Sequence, residues 1–298
     1  MEPIIVVGSS NTDLVALVDR LPGEGETVMG ESLQKFAGGK GANQAVAAAR
    51  AGVPVAFAGA VGTDGFGVEA VRGFEKDGLD LRYLKRVEGI PSGTAMIAVD
   101  RKGQNQIVVA PGANDSVSLT DIECIDFSEF GIAVFQLEVP HKAVWLGLRR
   151  AKAAGCRTIL NPAPASQIPK DIFQNVDYLV PNQHELELAA GSGTLEEQAS
   201  AVLELGVKNL VVTLGADGVC CINADGKTAV PAPDFPVVDT VGAGDCFCGV
   251  FAAALSRGMV LEDALRHAVT AASISVGRPG AQASYVNWGE IREETKNA

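Results

Sequence analysis

Residues 239–249, with the sequence DTVGAGDCFCG, combine small residues with one acidic side chain at the start of a strongly apolar predicted helix. The backbone N–H groups of Gly242, Ala243 and Gly244 can turn toward one point at the positive end of that helix, where they would hold a phosphate or a developing phosphoryl charge. Asp245 is the one acidic residue in the first turn and could act either as a helix cap or as a catalytic base. The small residues before it favour chemistry, because an ordinary cap does not require them.

A second glycine cluster lies in residues 36–50, where FAGGKGANQ leads into a predicted alanine-rich helix. Glycines at such a position let a ligand approach the backbone closely and leave N–H groups free at the helix N-terminus. The cluster is not a phosphate loop of the GxxxxGK[ST] type, because Gly41 follows Lys40 where Ser or Thr is needed. No GxGxxG dinucleotide signature occurs in the chain, which disfavours a nicotinamide-dependent oxidoreductase.

Polar residues and a glycine follow several of the apolar segments that we interpret as strands. Because ligands of open α/β sheets bind outside the carboxyl ends of the strands, these positions should converge on one groove. They are Glu138, Asn161, Asn182, Thr213 and Gly215. Asn182 and Glu185 are spaced i, i+3 and could face the same way, which suits an oxygen-rich site for hydrated Mg²⁺.

Asn11 and Asp13 open another predicted strand, near the N-terminus. Side chains alternate along a strand, so these two residues lie on one face. An amide and a carboxylate side by side suit bidentate binding of vicinal hydroxyl groups. The alternative is an ordinary solvated strand end, since Asn and Asp favour such positions.

Most of the chain alternates short apolar strands with helices, a pattern that implies right-handed βαβ crossovers. The predicted strands, rich in Val and Ile and buried on both faces, are Ile4 to Val7, Ala56 to Val61, Ile132 to Leu137, Thr158 to Leu160, Tyr178 to Val180 and Leu210 to Thr213. The predicted helices are about Gly41 to Ala51, Gly65 to Lys76, Pro140 to Ala154, Leu195 to Leu205, Cys246 to Arg257 and Leu261 to Val276. We therefore predict an α/β fold with a doubly wound, mostly parallel central sheet flanked by helices.

Two segments break this pattern, because residues 12–18 and 94–109 alternate polar with apolar side chains. Such alternation predicts half-exposed antiparallel strands. We expect them to form a small β-sheet lid, inserted at about residues 11–37 and 90–110 of a single domain that spans residues 1–298.

The chain has 298 residues and a formal net charge of −12. A surface this acidic repels phosphate polymers and anionic lipids, so neither nucleic acid nor membrane is an expected partner. The first residues lack the pattern of a signal peptide, and the six cysteines lack CxxC spacing, which indicates a reduced, cytoplasmic protein. The histidines and cysteines also lack the spacing of zinc ligands, and we interpret them as packing or surface residues.

With both glycine clusters and the strand-end residues taken together, the chain resembles the ribokinase/PfkB-type family of carbohydrate kinases over nearly its full length. The DTVGAGD segment at 239–245 is shared across the superfamily, whereas GGKGANQAVA at 38–47, QLE at 136–138 and NPAP at 161–164 are more particular. The resemblance implies ATP-dependent phosphorylation of the primary 5-hydroxyl of D-ribose, giving ribose 5-phosphate and ADP. Alternatives are a kinase of fructose, deoxyribose, adenosine or pseudouridine, or a non-catalytic sugar-sensing protein with the same fold.

The resemblance also implies a role for each matching residue. Asp245 would accept the proton of the attacking hydroxyl, and Gly242 to Gly244 would form the anion hole. The sugar-binding residues would be Asn11, Asp13, Gly39, Lys40, Asn43 and Glu138, together with Asp245. The nucleotide-binding residues would be Asn182, Thr213, Gly215 and Gly244, with Glu185 holding Mg²⁺ through water.

A monovalent cation, usually K⁺, is a further expectation from the resemblance. The matching positions, mostly through backbone carbonyls, are Asp239, Val241, Ser275, Arg278, Gly280 and Ser284. Cys246 departs from the usual Thr after the catalytic Asp, and Val269 stands where a histidine near adenine is often seen, so the adenine contact there would be apolar. The partly apolar exposed face of the lid predicts a homodimer through paired lids.

Overall fold

The computed structural model describes residues 1–297, in which short apolar strands alternate with helices along most of the chain. The strands are β1 (Ile4–Val7), β2 (Asn11–Val18), β3 (Gly30–Gly38), β4 (Val55–Gly62), β5 (Leu84–Val87), β6 (Gly93–Val99), β7 (Asn105–Ala110), β8 (Ile132–Phe135), β9 (Arg157–Leu160), β10 (Tyr178–Leu179), β11 (Asn209–Thr213), β12 (Val219–Asn223) and β13 (Gly226–Val230). The α-helices are α1 (Lys40–Arg50), α2 (Gly65–Lys76), α3 (Leu119–Glu123), α4 (His141–Ala153), α5 (Gln183–Ala190), α6 (Leu195–Glu204), α7 (Ala243–Ser256), α8 (Leu261–Ser275), α9 (Ala281–Ser284) and α10 (Trp288–Asn297).

The main sheet has the strand order β13-β12-β11-β10-β9-β8-β1-β4-β5. Neighbouring strands from β11 to β5 pair in parallel, whereas β12 and β13 form an antiparallel hairpin at one edge. The chain winds away from β1 in one direction through β4 and β5, and away from β8 in the other. This confirms the predicted doubly wound sheet, and it places a topological switch point, where such folds bind ligands, between β1 and β8.

Both faces of the main sheet are covered by helices. Ile4 and Val6 of β1 belong to the core that includes α1, α7 and α8, whereas Ile5 and Val7 belong to the core that includes α4 and α6. Successive residues of a strand point to opposite faces, so a strand buried on both sides has no polar positions to alternate. None of the helices within residues 1–297 is long and apolar enough to cross a membrane.

A second, four-stranded sheet, here called the small sheet, has the order β3-β2-β6-β7. The prediction of antiparallel strands holds for the pairs β2–β3 and β6–β7, but it is wrong for β2 and β6, which pair in parallel. Polar and apolar alternation indicates that one face of a strand is exposed but does not determine the direction of its neighbour, so the parallel pairing of β2 with β6 could not be predicted from it. Several apolar side chains of the small sheet are exposed, among them Leu33, Met96, Ile107, Val108 and Val109.

Helices α1 and α7 pack closely enough that their N-termini meet beside the switch point. Gly249 allows this approach, because a Cβ atom at that position would lie 2.7 Å from the Cβ of Ala47. The two glycine clusters of the sequence precede these two helices, so this packing brings the clusters together across about 200 residues of chain.

Candidate active site

Asp245 lies in the first turn of α7 and does not cap the helix. The N-cap residue is Gly242, in the left-handed conformation with φ 77°, and it makes no side-chain capping hydrogen bond. The carboxylate of Asp245 instead accepts hydrogen bonds from Asn43 Nδ2 and Gln44 Nε2 of α1, each at 2.9 Å. Only 7% of Asp245 is exposed, so these two amides compensate for the water that the carboxylate loses on burial.

The backbone around Gly242 forms a tight turn at the start of α7. The backbone N–H of Ala243 donates to the Thr240 carbonyl at 3.3 Å, whereas the N–H groups of Gly244 and Asp245 have no carbonyl partner and are free to donate to a ligand. The carbonyl of Gly242 accepts a hydrogen bond from the hydroxyl of Tyr285 at 2.8 Å. A Cβ at Gly242 would lie 2.5 Å from the Cβ of Ala281, so both conformation and space require glycine there.

Glu138 connects the switch point of the main sheet to α1. Its Oε2 accepts hydrogen bonds from the Ser9 hydroxyl at 2.6 Å and from the backbone N–H of Lys40 at 3.0 Å. Gly39 caps α1 with φ 88°, and a Cβ on it would lie 2.6 Å from the backbone nitrogen of Asn11. The glycine therefore lets the start of the small sheet lie directly against the N-terminus of α1.

Asn11 is 8% exposed, so the alternative of a solvated strand end is wrong for this residue. Its Oδ1 accepts a hydrogen bond from Asn114 Nδ2 at 2.8 Å, and Asn114 is oriented by the backbone N–H of Ser10, which donates to its Oδ1 at 2.9 Å. This pairing leaves the amide N–H groups of Asn11 available to donate to a ligand oxygen.

Three carboxylates and one ammonium group lie near one another at this edge of the sheet. Burial, helped by the charges of Glu138 and Asp245, raises the pKa of Asp13 to about 6. The negative charge of Asp245 is the largest cause that raises the pKa of Lys40, and Glu138 adds to it. The cluster can accept several hydroxyl hydrogens while one cation limits its negative charge, which suits a small polyhydroxy ligand.

Two cavities meet at the N-terminus of α7. The smaller, of about 240 Å³, is lined by residues that include Lys40, Asn161, Asn182, Glu185 and Asp245. The larger, of about 530 Å³, is mostly apolar and is lined by residues that include Gly215, Phe247 and Val269. Thr213, Thr240 and Gly244 line both cavities, so a ligand could extend from the larger cavity to Asp245.

Asn182 and Glu185 do face each other, through a capping box at the start of α5. The Asn182 Oδ1 accepts from the backbone N–H of Glu185 at 2.8 Å, and Glu185 Oε2 accepts from the backbone N–H of Asn182 at 2.9 Å. Glu185 lines the smaller cavity, and its other carboxylate oxygen makes no hydrogen bond within the described chain. Within residues 1–297, no three His, Cys, Asp or Glu side chains cluster closely enough to hold a metal ion by themselves.

Among the positions predicted for a monovalent cation, Asp239 contacts two others, Val241 and Gly280. Its carboxylate accepts from the backbone N–H of Val241 at 3.0 Å and from that of Gly280 at 2.8 Å, which ties the loop before α7 to the loop before α9. Arg278 directs its guanidinium toward Glu290, so only its backbone could serve a cation. Ser275 and Ser284 use their hydroxyls within their own helical turns, at Ala272 and Ala281. Carboxylate and carbonyl oxygens are the donors that a hard cation prefers.

The two departures from the family pattern have clear places in the structure. Cys246 is buried, and burial raises the pKa of its thiol to about 12, so it packs as a neutral side chain beside Ser275. Val269 lines the larger cavity and makes its wall apolar at that point.

The sequence analysis missed four residues that hold this site together. They are Gln44, which binds Asp245; Gln136, which binds Gln44; Asn114, which binds Asn11; and Tyr285, which binds Gly242. Gln44 and Gln136 stood inside segments that we had singled out, beside Asn43 and Glu138. Nothing in the local sequence indicated their partners, which lie 92 or more residues away.

A helix N-terminus that can bind phosphate, a buried carboxylate beside it and a polar cluster for hydroxyl groups define a kinase with an alcohol acceptor. The comparisons agree, since residues 1–288 match the family described as pfkB family carbohydrate kinase. The chain belongs to this family.

Individual members of this family are similar to the chain in sequence and in structure. The chain is 40% identical to a ribokinase of Schizosaccharomyces pombe, with 94% of each chain covered, and 35% identical to a deoxyribokinase of Salmonella typhi, with 97% of each covered. Its fold matches the structure of Arabidopsis thaliana ribokinase complexed with ribose and ATP, with a TM-score of 0.90, 34% identity and 99% of each chain covered.

Proposed function

We propose that this protein transfers the γ-phosphoryl group of ATP to the primary 5-hydroxyl of D-ribose, giving ribose 5-phosphate and ADP. The observation that carries the proposal is the position of Asp245, which faces the smaller cavity directly after Gly244, a residue that lines both cavities. The similarity to a ribokinase sequence and to a ribokinase structure holding ribose and ATP supports the same conclusion.

The site residues supply positioning and electrostatic stabilisation, which are the main needs of phosphoryl transfer through a loose transition state. Asn11, Asp13, Gly39, Asn43 and Glu138 bind the sugar hydroxyls. Asp245 accepts the proton of the attacking hydroxyl, and the backbone of residues 242–244 with the ammonium group of Lys40 stabilises charge on the transferred group. Asn182, Thr213 and Gly215 contact the nucleotide, and the adenine base lies against the apolar wall that includes Val269.

Two cations complete the proposed site. We infer that Glu185 holds Mg²⁺ through water, and that bound Mg²⁺ neutralises charge on the ATP phosphates. We infer that Asp239 and the surrounding loops, 239–241 and 275–284, hold K⁺, because Asp239 already joins them. Activity should therefore fall when K⁺ is exchanged for tetramethylammonium at constant ionic strength, whereas unchanged activity would contradict this cation site.

The small sheet acts as a lid in this proposal and closes over the sugar to exclude water that would otherwise accept the phosphoryl group. Its exposed apolar side chains, such as Ile107 and Val109, favour a homodimer through paired lids. A monomeric mass in sedimentation equilibrium would contradict the dimer. We also infer a cytoplasmic location, which the six free cysteines support.

Deoxyribose is the second candidate acceptor, because the chain is 35% identical to a deoxyribokinase. The position and identity of the product are best read by phosphorus and carbon NMR of a reaction that contains ATP, Mg²⁺, K⁺ and ribose. We expect a phosphate ester on carbon 5 with the wild-type protein, formed at least about a hundredfold more slowly with Asp245→Asn. Phosphorylation at carbon 1, or ATP hydrolysis without a sugar phosphate, would contradict the proposal.

A further inference from the structure

Two buried glutamines form a hydrogen-bonded chain that ends on Asp245. Gln136 Nε2 donates to Gln44 Oε1 at 2.6 Å, and Gln44 Nε2 donates to Asp245 Oδ1 at 2.9 Å. Both glutamines have 0% exposed surface, and neither lines the two cavities described above. They therefore cannot contact a ligand in those cavities, and any influence on the reaction must pass through Asp245.

The hydrogen bonds fix which end of the Gln44 amide faces Asp245. Because Gln136 donates to Gln44 Oε1, the nitrogen of Gln44 must point the other way, toward Asp245 Oδ1 and, at 3.2 Å, toward Asn161 Oδ1. A flipped amide would place its oxygen against these acceptors and its nitrogen against the donor of Gln136. The Gln44 amide thus holds one orientation, whereas the buried Oε1 of Gln136 has no hydrogen-bond partner within residues 1–297.

The backbone of Gln44 is held in place as well. Gly249 lies one turn after Asp245 on α7, and a Cβ at Gly249 would collide with the carbonyl oxygen of Gln44. This contact sets the distance between α1 and α7 at the level of Asp245. Gln44 therefore has little freedom to move away from the carboxylate.

We propose that Gln44 is a positioning residue for phosphoryl transfer, and this inference rests on the proposed function. Gln44 and Asn43 occupy one lone pair on each oxygen of Asp245, which fixes the plane of the carboxylate. The remaining lone pairs then face the cavity, in position to accept the proton of the attacking hydroxyl. Gln136 donates a hydrogen bond to Gln44 and so helps, through Gln44, to position Asp245.

The test compares two replacements of Gln44 that differ in one property. Gln44→Met keeps the length of the side chain but removes its hydrogen bonds with Gln136, Asp245 and Asn161. Gln44→Glu keeps the size and the acceptor for Gln136, yet places a second carboxyl group against Asp245, so the two either repel or share a proton. In both variants Asp245 loses the amide donor of Gln44. Its carboxylate is then no longer held in the plane that leaves its other lone pairs open to the hydroxyl group.

We expect both variants to lower kcat for ribose at least tenfold, with the KM for ATP and the calorimetric Kd for ribose within threefold of wild type. Gln136→Met, which removes only the donor that orients Gln44, should lower kcat in the same direction and keeps the test valid if a Gln44 variant does not fold. Thr158→Val is the matched control, because Thr158 is buried and its hydroxyl donates to the Asn175 carbonyl, away from the site. It should lower the melting temperature but leave kcat within twofold.

Two results would overturn the inference. One is a Gln44→Glu variant with at least half of the wild-type kcat, which would show that Gln44 serves packing alone. The other is a control variant that loses as much kcat as the Gln44 variants at an equal loss of melting temperature. Failure of the wild-type protein to phosphorylate ribose would instead contradict the proposed function, so the two failures can be told apart.

Discussion

Asp13 should make ribose binding depend on pH in a range where most carboxylates do not titrate. Its pKa is raised to about 6 by burial and by the charges of Glu138 and Asp245. In the proposed site, the ionised carboxylate of Asp13 would accept two hydroxyl hydrogens of the sugar, whereas the protonated form would lose an acceptor. If only the ionised form binds, the Kd for ribose rises about tenfold between pH 7 and pH 5, because about nine-tenths of Asp13 is protonated at the lower pH.

Isothermal titration with ribose, without ATP and between pH 5 and pH 8, measures this effect separately from catalysis. The Asp13→Asn variant should bind ribose more weakly, with an affinity that changes less than twofold over the same range. A flat wild-type profile, or an equal slope in Asp13→Asn, would refute the reasoning.

The same pKa shift has a consequence for folding. Because the pKa of Asp13 lies above its ordinary value of 3.8, the folded state binds the proton more tightly than the unfolded state. Protonated Asp13 therefore contributes to the free energy of unfolding. This stabilisation is fully present below pH 4 and is lost as the pH rises through about 6, and the loss is at most about 3 kcal/mol. In urea denaturation, Asp13→Asn should therefore lose less free energy of unfolding than wild type between pH 4 and pH 7.

Three further substitutions test the turn at Gly242 and the two residues beside it, Asp245 and Tyr285. Asp245→Asn should lower kcat by roughly 10²–10⁴-fold in an ADP-release assay, with the ribose Kd nearly unchanged, and near-normal turnover would exclude it as the base. Gly242→Ala should lose about 1–3 kcal/mol of stability on thermal unfolding, whereas Gly73→Ala, in open space on α2, should not be destabilising. Tyr285→Phe, which removes the donor to the Gly242 carbonyl, should lose about 1 kcal/mol in the same measurement and slow turnover; unaltered kcat would show that this bond does not position the turn.

The parallel part of the fold was predictable because burial on both faces leaves a simple pattern. Strands β1 and β8 are unbroken apolar runs, and α2 has the predicted bounds, since Asp64 caps its first turn. The β12–β13 hairpin was missed because its strands, VCCIN and GKTAV, lie at the sheet edge and mix polar with apolar residues. Helix α5 was missed as an element because its short sequence, QHELELAA, has few buried residues.

Site residues could be predicted from the sequence where a residue with a definite chemical role stands at the end of a helix or a strand. Asp245 after three small residues is such a case, and the structure places it beside Asn43 at the predicted groove. The amide partners could not be predicted, because a hydrogen bond such as Gln44 to Asp245 joins residues 201 positions apart and depends on how α1 packs on α7. Asn114, which orients Asn11, lies in a short 3-10 helix, Gly112–Ser116, with no comparable signal.

The acceptor is the central claim, and it is tested most directly by comparing kcat/KM for ribose, deoxyribose, fructose, adenosine and pseudouridine with saturating ATP, Mg²⁺ and K⁺. Hydrogen bonding by Asn11, Asp13, Asn43 and Glu138 to the hydroxyl groups of a free pentose predicts the highest value for ribose, with deoxyribose lower because it lacks one hydroxyl. A higher value for a nucleoside would contradict the account.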